Sequence, residues 1–273
     1  MTHRRAVAVR LGAVASAVVL TLGLAGCGSE PQGGNVDPGL VDSTEPPTLG
    51  ACRMLEPEDV EQPANATKTV DCSAKHTAQT FHVGELPDSY DDAAYDDEAV
   101  GEHAYATCSK KFAEFLGADE SLVLRTVVSW AWFRPSEDAW DDGARWFRCD
   151  AVGGTPNSEA YRPLPRTVEG LLVGRPRDKW LVCAAGDVFE KAEKLPCSQP
   201  HDWRAVSAIK VGEPGDEYPG DSVVASRTDA FCRTAVQAWL SYPATFEFAY
   251  TYFHEAEWLA GNRRSVCWAK TTE

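Results

Sequence analysis

Two short phrases of uncommon residues occur twice in this chain, in the same order and at the same spacing. Cys-Ser-x-x-His stands at residues 72–76 and again at 197–201. Trp-x-x-Gly-x-Arg-x-x-x-Cys stands at residues 140–149 and again at 258–267. Because cysteine, histidine and tryptophan are rare, matched offsets over both phrases indicate a tandem duplication. We therefore expect two similar units, repeat 1 (residues 50–165) and repeat 2 (residues 166–273).

The cysteines divide equally between the two repeats. Each repeat has four, and a ninth, Cys27, lies near the N-terminus. An even number shared equally by two units is typical of a disulfide framework in an oxidising compartment. Zinc sites usually draw on close Cys-x-x-Cys pairs, and no two cysteines here are closer than Cys183 and Cys197. We expect no metal site and four structural disulfides, formed by Cys52, Cys72, Cys108, Cys149, Cys183, Cys197, Cys232 and Cys267.

The pairing of these cysteines depends on which segments are neighbours. Four cysteines allow three pairings in each repeat. If the first and last segments of repeat 1 lie side by side in a sheet, Cys52 pairs with Cys149 and Cys72 with Cys108. The corresponding bridges of repeat 2 are Cys183 with Cys267 and Cys197 with Cys232.

The first 26 residues have the composition of a secretory leader. Arg4, Arg5 and Arg10 precede an uncharged run over residues 11–26, which is shorter than the roughly 20 residues of a spanning helix. An uncleaved membrane anchor is the alternative. The end of the run, residues 24–27 (Leu-Ala-Gly-Cys), resembles the lipobox of bacterial lipoproteins. That resemblance implies a diacylglycerol on Cys27, with palmitate or a similar acid where the new N-terminus is acylated, and a location at the extracytoplasmic face of the cell membrane.

Composition limits the partners and the folded regions expected of the mature chain. Residues 27–49 are rich in Gly, Pro and acids and predict a flexible tether. The whole chain carries 26 Lys and Arg against 41 Asp and Glu, and loss of the leader would remove three arginines and no acid, leaving a net charge of −18. Such an excess of acid argues against nucleic acid and anionic lipid headgroups as partners. A hydrophobic content of 44% predicts packed cores beyond the tether.

Apolar spacing predicts one main helix in each repeat. One helical stripe in repeat 1 is formed by Val100, Ala104, Cys108, Phe112 and either Phe115 or Leu116. In repeat 2 we place the stripe on residues Val224, Phe231, Ala235 and Trp239, with Cys232 at its edge. Long strands are expected after each helix, over residues 122–133 and 245–253. The fold class predicted is α+β, with two similar small domains that each contain an antiparallel sheet, one main helix and two disulfides.

The Cys-Ser-x-x-His phrase offers candidate site residues but little chemistry. Serine and histidine three positions apart point to opposite faces of a strand. A cysteine in a disulfide is neither a nucleophile nor a metal ligand. Three interpretations are open for His76, His201 and Asp202: they stabilise a turn after a cross-linked strand, they contact a ligand or partner, or, with the least support, they take part in catalysis.

The second phrase predicts stacking of arginine on tryptophan. Its glycines, Gly143 and Gly261, are expected in turns with positive φ. A cation–π contact or a carboxylate clamp is then expected within each phrase. The sequence leaves open whether the tryptophans and arginines of this phrase are structural or bind a partner. They are Trp140, Arg145, Trp258 and Arg263.

Two further patterns have alternative interpretations. Trp130 and Trp132 alternate in a predicted strand, where they are core residues or platforms for sugar rings. The acidic residues between 88 and 98 could bind Ca²⁺, but they lack the twelve-residue ligand loop with its glycine and terminal glutamate. A solvated start of the helix is the simpler interpretation.

The motifs together resemble a known family. Residues 197–202 (Cys-Ser-Gln-Pro-His-Asp), a helix with one cysteine and the Trp-x-x-Gly-x-Arg-x-x-x-Cys phrase are similar to the septum-formation domain of actinobacterial envelope proteins. The resemblance covers residues 50–273, although repeat 1 lacks the Pro and Asp of the first motif. It implies an envelope protein without an established reaction.

We therefore expect a non-enzymatic protein that binds an unidentified envelope protein during septum formation or wall assembly. A module that binds wall glycan or a small ligand is the alternative. A thiol enzyme or hydrolase has the least support.

Overall fold

The computed structural model describes residues 35–155, 158–213, 215–259 and 261–271. Both repeats contain the same series of strands and helices, with one additional short helix in repeat 1. Repeat 1 contains β1 (Cys52–Arg53), β2 (Thr69–Val70), β3 (Ala78–Glu85), α1 (Glu98–Leu116), α2 (Glu120–Val123), β4 (Ser129–Phe133), α3 (Glu137–Asp141) and β5 (Trp146–Val152). Repeat 2 contains β6 (Val182–Ala185), β7 (Glu193–Pro196), β8 (Trp203–Lys210), α4 (Asp221–Trp239), β9 (Phe248–Thr251), α5 (Glu255–Leu259) and β10 (Arg264–Lys270).

Each repeat forms a five-stranded antiparallel sheet. The strand order is β2-β1-β3-β5-β4 in the first sheet and β7-β6-β8-β10-β9 in the second. The two orders are the same once corresponding strands are matched. This identity confirms the duplication and the α+β class.

The main helix of repeat 1 lies where the sequence predicts it. Asp97 accepts a hydrogen bond from the backbone N–H of Ala99 at the start of α1, and Gly117 ends the helix with φ of 73°. Val100, Ala104, Cys108, Phe112 and Leu116 are buried at 0% exposure, and Phe115, the alternative to Leu116, is only partly buried. The apolar stripe therefore faces the sheet, as expected.

The stripe predicted for repeat 2 is confirmed at Val224 and wrong at Phe231, Ala235 and Trp239. Val224, Thr228, Cys232 and Val236 are the buried residues of α4, at spacings of four. Phe231 and Trp239 are exposed instead, at 38% and 46%. Cys232 lies at the centre of the buried face because it is bonded to the sheet, and apolar size alone did not reveal that constraint.

The disulfides join other partners than those predicted. Cys52 is bonded to Cys72 and Cys108 to Cys149. In repeat 2, Cys183 is bonded to Cys197 and Cys232 to Cys267.

The strand order explains the error. The first and last strands of each repeat are not neighbours, because β3 separates β1 from β5 and β8 separates β6 from β10. Strands two places apart are about 10 Å apart, beyond the reach of a disulfide.

The two predicted long strands are shorter in the structure. Residues 122–133 contain the end of α2 and only the five residues of β4. The Asp119 side chain accepts from the N–H of Leu122 and so favours a helical turn at the start of this segment. Residues 245–253 contain only β9.

The segment predicted as a tether is described from residue 35 onward, and that part lies against repeat 1. The amide of Asn35 donates to the carbonyl of Met54 at 3.0 Å, and Val36 pairs with Thr67 in an antiparallel bridge. Ser136 donates to the carboxylate of Asp42 at 2.8 Å. Residues 35–49 therefore extend repeat 1 at its N-terminal side.

The predicted leader and the lipid-modified Cys27 lie outside the described residues. Among the residues that are described, no helix has the length and apolar character needed to cross a membrane.

The two repeats share a hydrophobic core. One cluster includes Phe112 and Val127 of repeat 1 together with Val182, Trp203 and Trp268 of repeat 2. A backbone hydrogen bond also joins the two repeats: the N–H of Val127 donates to the carbonyl of Trp180 at 3.0 Å. The described residues accordingly form one compact unit built from two repeated sheets.

A buried ionic network distinguishes repeat 1. Asp150 is fully buried and lies 2.9 Å from Arg148 and 4.0 Å from Arg53. Thr80 donates to Asp150 at 2.6 Å and accepts from Arg53 at 2.7 Å. Burial lowers the pKa of the Arg148 guanidinium to about 10. Every charge in the network thus depends on its partners for compensation.

Non-reducing peptide mapping should recover four bridges, each between two cysteines of the same repeat. We expect peptides joining Cys52 to Cys72, and Cys232 to Cys267, with the other two pairs as described. A peptide that joins the two repeats, or one that joins Cys52 to Cys149, would contradict the sheet order.

Replacing Asp150 by Asn should destabilise the protein by about 3–5 kcal/mol, because two buried guanidinium groups would lose their counter-charge. Urea unfolding followed by tryptophan fluorescence measures the change. Glu114→Gln removes an exposed pair with Lys111 and should leave the free energy of unfolding nearly unchanged. Equal effects of both variants would mean that the buried network contributes nothing.

Candidate functional site

A cleft of about 770 Å³ lies at the junction of the repeats. Repeat 1 contributes one flank of α1 and the end of α2. Repeat 2 contributes the end of α5 and the turn that leads into β10. The volume is within the range of ligand pockets. Its main lining residues are Glu102, His103, Tyr105, Ser109, Glu120, Leu124, Trp130, Lys210, Asp216, Trp258, Leu259, Asn262, Arg263 and Arg264.

An aromatic pair forms the wall on the side of repeat 1. The rings of Tyr105 and Trp130 are 5.1 Å apart and tilted by 58°. Burial raises the pKa of Tyr105 to about 12, so its hydroxyl remains a neutral donor and acceptor at physiological pH. The wall can therefore offer both an aromatic face and a hydrogen-bonding group.

A glycine in repeat 2 makes room for this wall. Gly261 has φ of 97°, and a Cβ atom added there would lie 2.5 Å from Cδ1 of Tyr105. Gly143, its counterpart in repeat 1, has φ of 95° and no heavy atom within 4 Å of such a Cβ. The positive φ predicted for both glycines is confirmed, and only Gly261 has the additional role of admitting Tyr105.

The predicted stacking of arginine on tryptophan is also confirmed. The guanidinium carbon of Arg263 lies 3.7 Å from the ring centre of Trp258, and Arg263 donates to the carbonyls of Trp258 and Asn262. Burial lowers the pKa of Arg263. In repeat 1 the corresponding distance, from Arg145 to Trp140, is 4.2 Å. Only the repeat 2 pair lines the cleft.

Charges of both signs surround the opening. Three acids and three bases line it: Glu102, Glu120, Asp216, Lys210, Arg263 and Arg264. Arg264 forms an ion pair with Glu120 that joins the two repeats across the cleft. Two apolar side chains stand at the rim, Leu124 from repeat 1 at 40% exposure and Leu259 from repeat 2 at 58%. The cleft is thus amphipathic and suited to a ligand with both polar and apolar groups.

Comparison with known proteins defines the family. A family model described as septum formation matches residues 38–133 and, a second time, residues 127–267. The chain belongs to the septum-formation family. No curated protein and no solved structure matched it. The first match begins inside the segment that the sequence assigned to a tether, where the structure places residues 35–49 against repeat 1.

The histidines of both septum-formation repeats are buried. His76 is 1% exposed and His201 is 5% exposed. In each case Nδ1 lies within 3 Å of the carbonyl two residues earlier, at 2.9 Å from Ala74 and 2.8 Å from Gln199. Because a carbonyl only accepts, Nδ1 carries the proton. Neither histidine lines the cleft, and the geometry favours the turn interpretation over ligand contact.

Asp202 of repeat 2 and Thr77 of repeat 1 occupy equivalent positions and make similar hydrogen bonds. Asp202 accepts from the N–H of Gly186, just after β6, at 2.7 Å. In the first septum-formation repeat, Thr77 accepts from the N–H of Leu55 at 2.8 Å and donates to its carbonyl at 2.6 Å. Both side chains fasten the turn to the loop after the first strand, so the loss of Asp in repeat 1 has a structural replacement.

One group near a disulfide has metal-like spacing. The sulfur atoms of Cys183 and Cys197 and a ring nitrogen of His201 all lie within 4.8 Å of one another. The two sulfurs are bonded to each other. A disulfide sulfur lacks the negative charge that makes a thiolate a metal ligand, so this group could bind zinc only after reduction.

The Trp140 pair of repeat 1 has a structural role. Arg145 donates to the carbonyls of Asp91 and Trp140, each at 2.8 Å, and Trp140 donates to the carbonyl of Ala93. These bonds hold the acidic segment before α1 in place. A binding role for Trp140 and Arg145 stays a prediction.

The sequence indicated part of the cleft. It singled out Trp258, Arg263 and Trp130, but it missed Tyr105, Glu120 and Arg264. Those residues come together only because the repeats pack on each other, and helical spacing within one repeat carries no signal of that contact. The sequence offered one signal, Gly261. It follows Trp258 at the same offset as Gly143 follows Trp140, and the turn alone explained that offset.

Gly261→Ala should perturb the cleft more than Gly143→Ala. Each substitution forces alanine into positive φ at a cost of about 1–2 kcal/mol. In Gly261→Ala the new Cβ must also displace the Tyr105 ring. We expect a larger loss of stability in thermal unfolding and altered NMR signals of Trp130 for this variant only. Equal effects at both positions would contradict the packing of Tyr105 against repeat 2.

Proposed function

We propose that this septum-formation protein is a lipid-anchored binding protein on the outer face of the cell membrane, with no enzymatic activity. The family assignment supports a septum-related role in the envelope. The lipobox-like residues 24–27 support anchoring through Cys27, and the four disulfides suit an oxidising compartment.

The absence of enzymatic activity rests on the chemistry of the repeated motifs. The cysteines that could serve as nucleophiles are held in disulfides. The histidines beside them use Nδ1 in a backbone hydrogen bond and are buried. A general base must reach its substrate, and neither imidazole has such a position.

The observation that carries the binding role is the amphipathic cleft between the repeats. It is built from both repeats, so a single repeat would not form it. Its rim has an exposed leucine on each side, and exposed apolar side chains around a concave surface are typical of protein contacts. We infer that the cleft binds a segment of another envelope protein that carries apolar and charged side chains.

Site-specific photo-crosslinking in intact cells tests this inference. A photoreactive amino acid at position 259, at the cleft rim, should attach the full-length protein to one discrete partner. The same group at position 188 is the control, because Val188 is similarly exposed, at 54% against 58%, and does not line the cleft. Leu259→Glu should abolish the attachment seen from a second cleft position, Leu124, whereas Val188→Glu should not. Equal labelling from both positions would refute the cleft as the binding site.

Wall glycan is the second candidate ligand. The Tyr105–Trp130 wall favours it, because sugar rings stack on aromatic faces and the neighbouring acids and amides can accept or donate hydrogen bonds.

Protease-treated wall fragments discriminate between the two candidates. If glycan is the ligand, the full-length protein should retain the fragments, and Trp130→Ala should reduce retention while Tyr242→Ala, at an exposed aromatic residue outside the cleft, leaves it unchanged. Retention that is lost after protease treatment supports the protein partner.

A further inference from the structure

A second cavity, of about 720 Å³, lies beyond α2 from the cleft. Val123 and Leu124 face the cleft, whereas Leu122 and Arg125 face this second cavity. The lining residues of the two cavities do not overlap. They are therefore separate sites, with the short helix between them.

The second cavity gathers positive charge in an acidic protein. Four arginines and a single acid line it: Arg125, Arg175, Arg177, Arg204 and Asp178. The lining thus carries a net charge of +3, whereas the whole chain carries −15. Both repeats contribute to it, because Arg125 comes from repeat 1 and the other three arginines come from repeat 2.

Several guanidinium donors in the cavity remain available. One guanidinium nitrogen of Arg204 donates a hydrogen bond to the carboxylate of Asp178 at 2.6 Å. Arg175 and Arg177 are exposed, and neither side chain has a hydrogen-bond or ion-pair partner within the described ranges. Each guanidinium has five N–H donors in a planar arrangement that matches the oxygens of a phosphate group.

Arg125 is held in a fixed orientation. Its Nε donates to the carbonyl of Ser121 and its Nη1 to the carbonyl of Val206, both at 2.9 Å. These bonds leave Nη2 for a ligand. Burial lowers the pKa of Arg125, the carboxylate of Asp119 opposes that shift, and the nearby Arg204 adds to the lowering. An anion that binds between Arg125 and Arg204 stabilises both like charges.

An apolar wall accompanies the arginines. Trp239 at the end of α4 lines the cavity and is 46% exposed, beside Leu122, Leu181 and Ala205. An exposed tryptophan next to arginines provides a surface for an aromatic or aliphatic group attached to the anion.

We propose that this arginine cavity is a binding site for a compact phosphate-bearing ligand, a monophosphate or diphosphate ester whose organic part packs against Trp239. An extended polyanion does not fit the charge distribution, because a long chain of phosphates would leave the cavity and meet an acidic surface. The site is independent of the cleft and of the proposed partner.

Isothermal titration calorimetry of the full-length protein with inorganic pyrophosphate tests the site. The double variant Arg175→Gln, Arg177→Gln should weaken binding by about tenfold or more, since charge-assisted hydrogen bonds are lost. Arg227→Gln is the matched control, because Arg227 is an exposed arginine of α4 outside the cavity. Pyrophosphate should also quench tryptophan fluorescence in the wild type, and Trp239→Phe should remove that change.

The source of the phosphate is resolved by a second pair of titrations. Dihexanoylphosphatidylglycerol and dihexanoylphosphatidylcholine are soluble lipids with a phosphodiester, and only the first has a net negative headgroup. Competition with pyrophosphate by the first lipid and not by the second identifies a lipid headgroup as the ligand, and competition by neither identifies a soluble phosphate ester. Failure of the wild type to bind pyrophosphate at millimolar concentrations, or equal weakening by Arg227→Gln, overturns the proposal.

Discussion

One covalent contact sets the geometry of each repeat: the disulfide from the long helix to the last strand. Cys108 is bonded to Cys149 in β5, and Cys232 to Cys267 in β10. These strands are interior in their sheets, each with a neighbour on both sides. A bond to an interior strand fixes the face of the helix that meets the sheet and, by exclusion, the flank that faces outward. On α1 that outward flank carries Tyr105, which then becomes a wall of the cleft.

The junction between the repeats uses unlike surfaces of two similar units. The flank of α1 meets the turn before β10. Three residues before the bridged cysteine stands Tyr105 in α1 and Asp229 in α4. The aromatic residue packs against the partner repeat, and the acid is paired with Arg233 on the surface. A head-to-tail arrangement of this kind gives two repeats one shared cleft instead of two equivalent sites.

What the sequence could predict depended on whether the determining contacts were local. The duplication, the stripe of α1 and the turn glycines follow from spacing along the chain, and the structure has them. The disulfide pairing could not be deduced, because it requires knowing that β3 separates β1 from β5. Trp239 was expected in the core on grounds of size, yet the bridge at Cys232 turns it toward the arginine cavity. Both cavities lie at the junction of the repeats, which no pattern within one repeat encodes.

The sheet faces opposite the helices show why the repeats are not interchangeable. In repeat 1, Thr80 pairs with Asp150 across β3 and β5, and the buried charges are satisfied by the long segment between β1 and β2, where Asn65 accepts from Arg148 at 2.9 Å. The corresponding pair in repeat 2 is Ala205 with Trp268.

The segment between β6 and β7 covers only residues 186–192, whereas that between β1 and β2 covers residues 54–68. Repeat 2 therefore lacks a segment long enough to cover a polar sheet face. The apolar face of its sheet is buried instead in the cluster shared with repeat 1. Since exposed tryptophan faces would be costly in water, repeat 2 depends on repeat 1 for its stability. The two cavities then follow as consequences of that packing, because the surfaces that stabilise the pair also leave space on either side of α2.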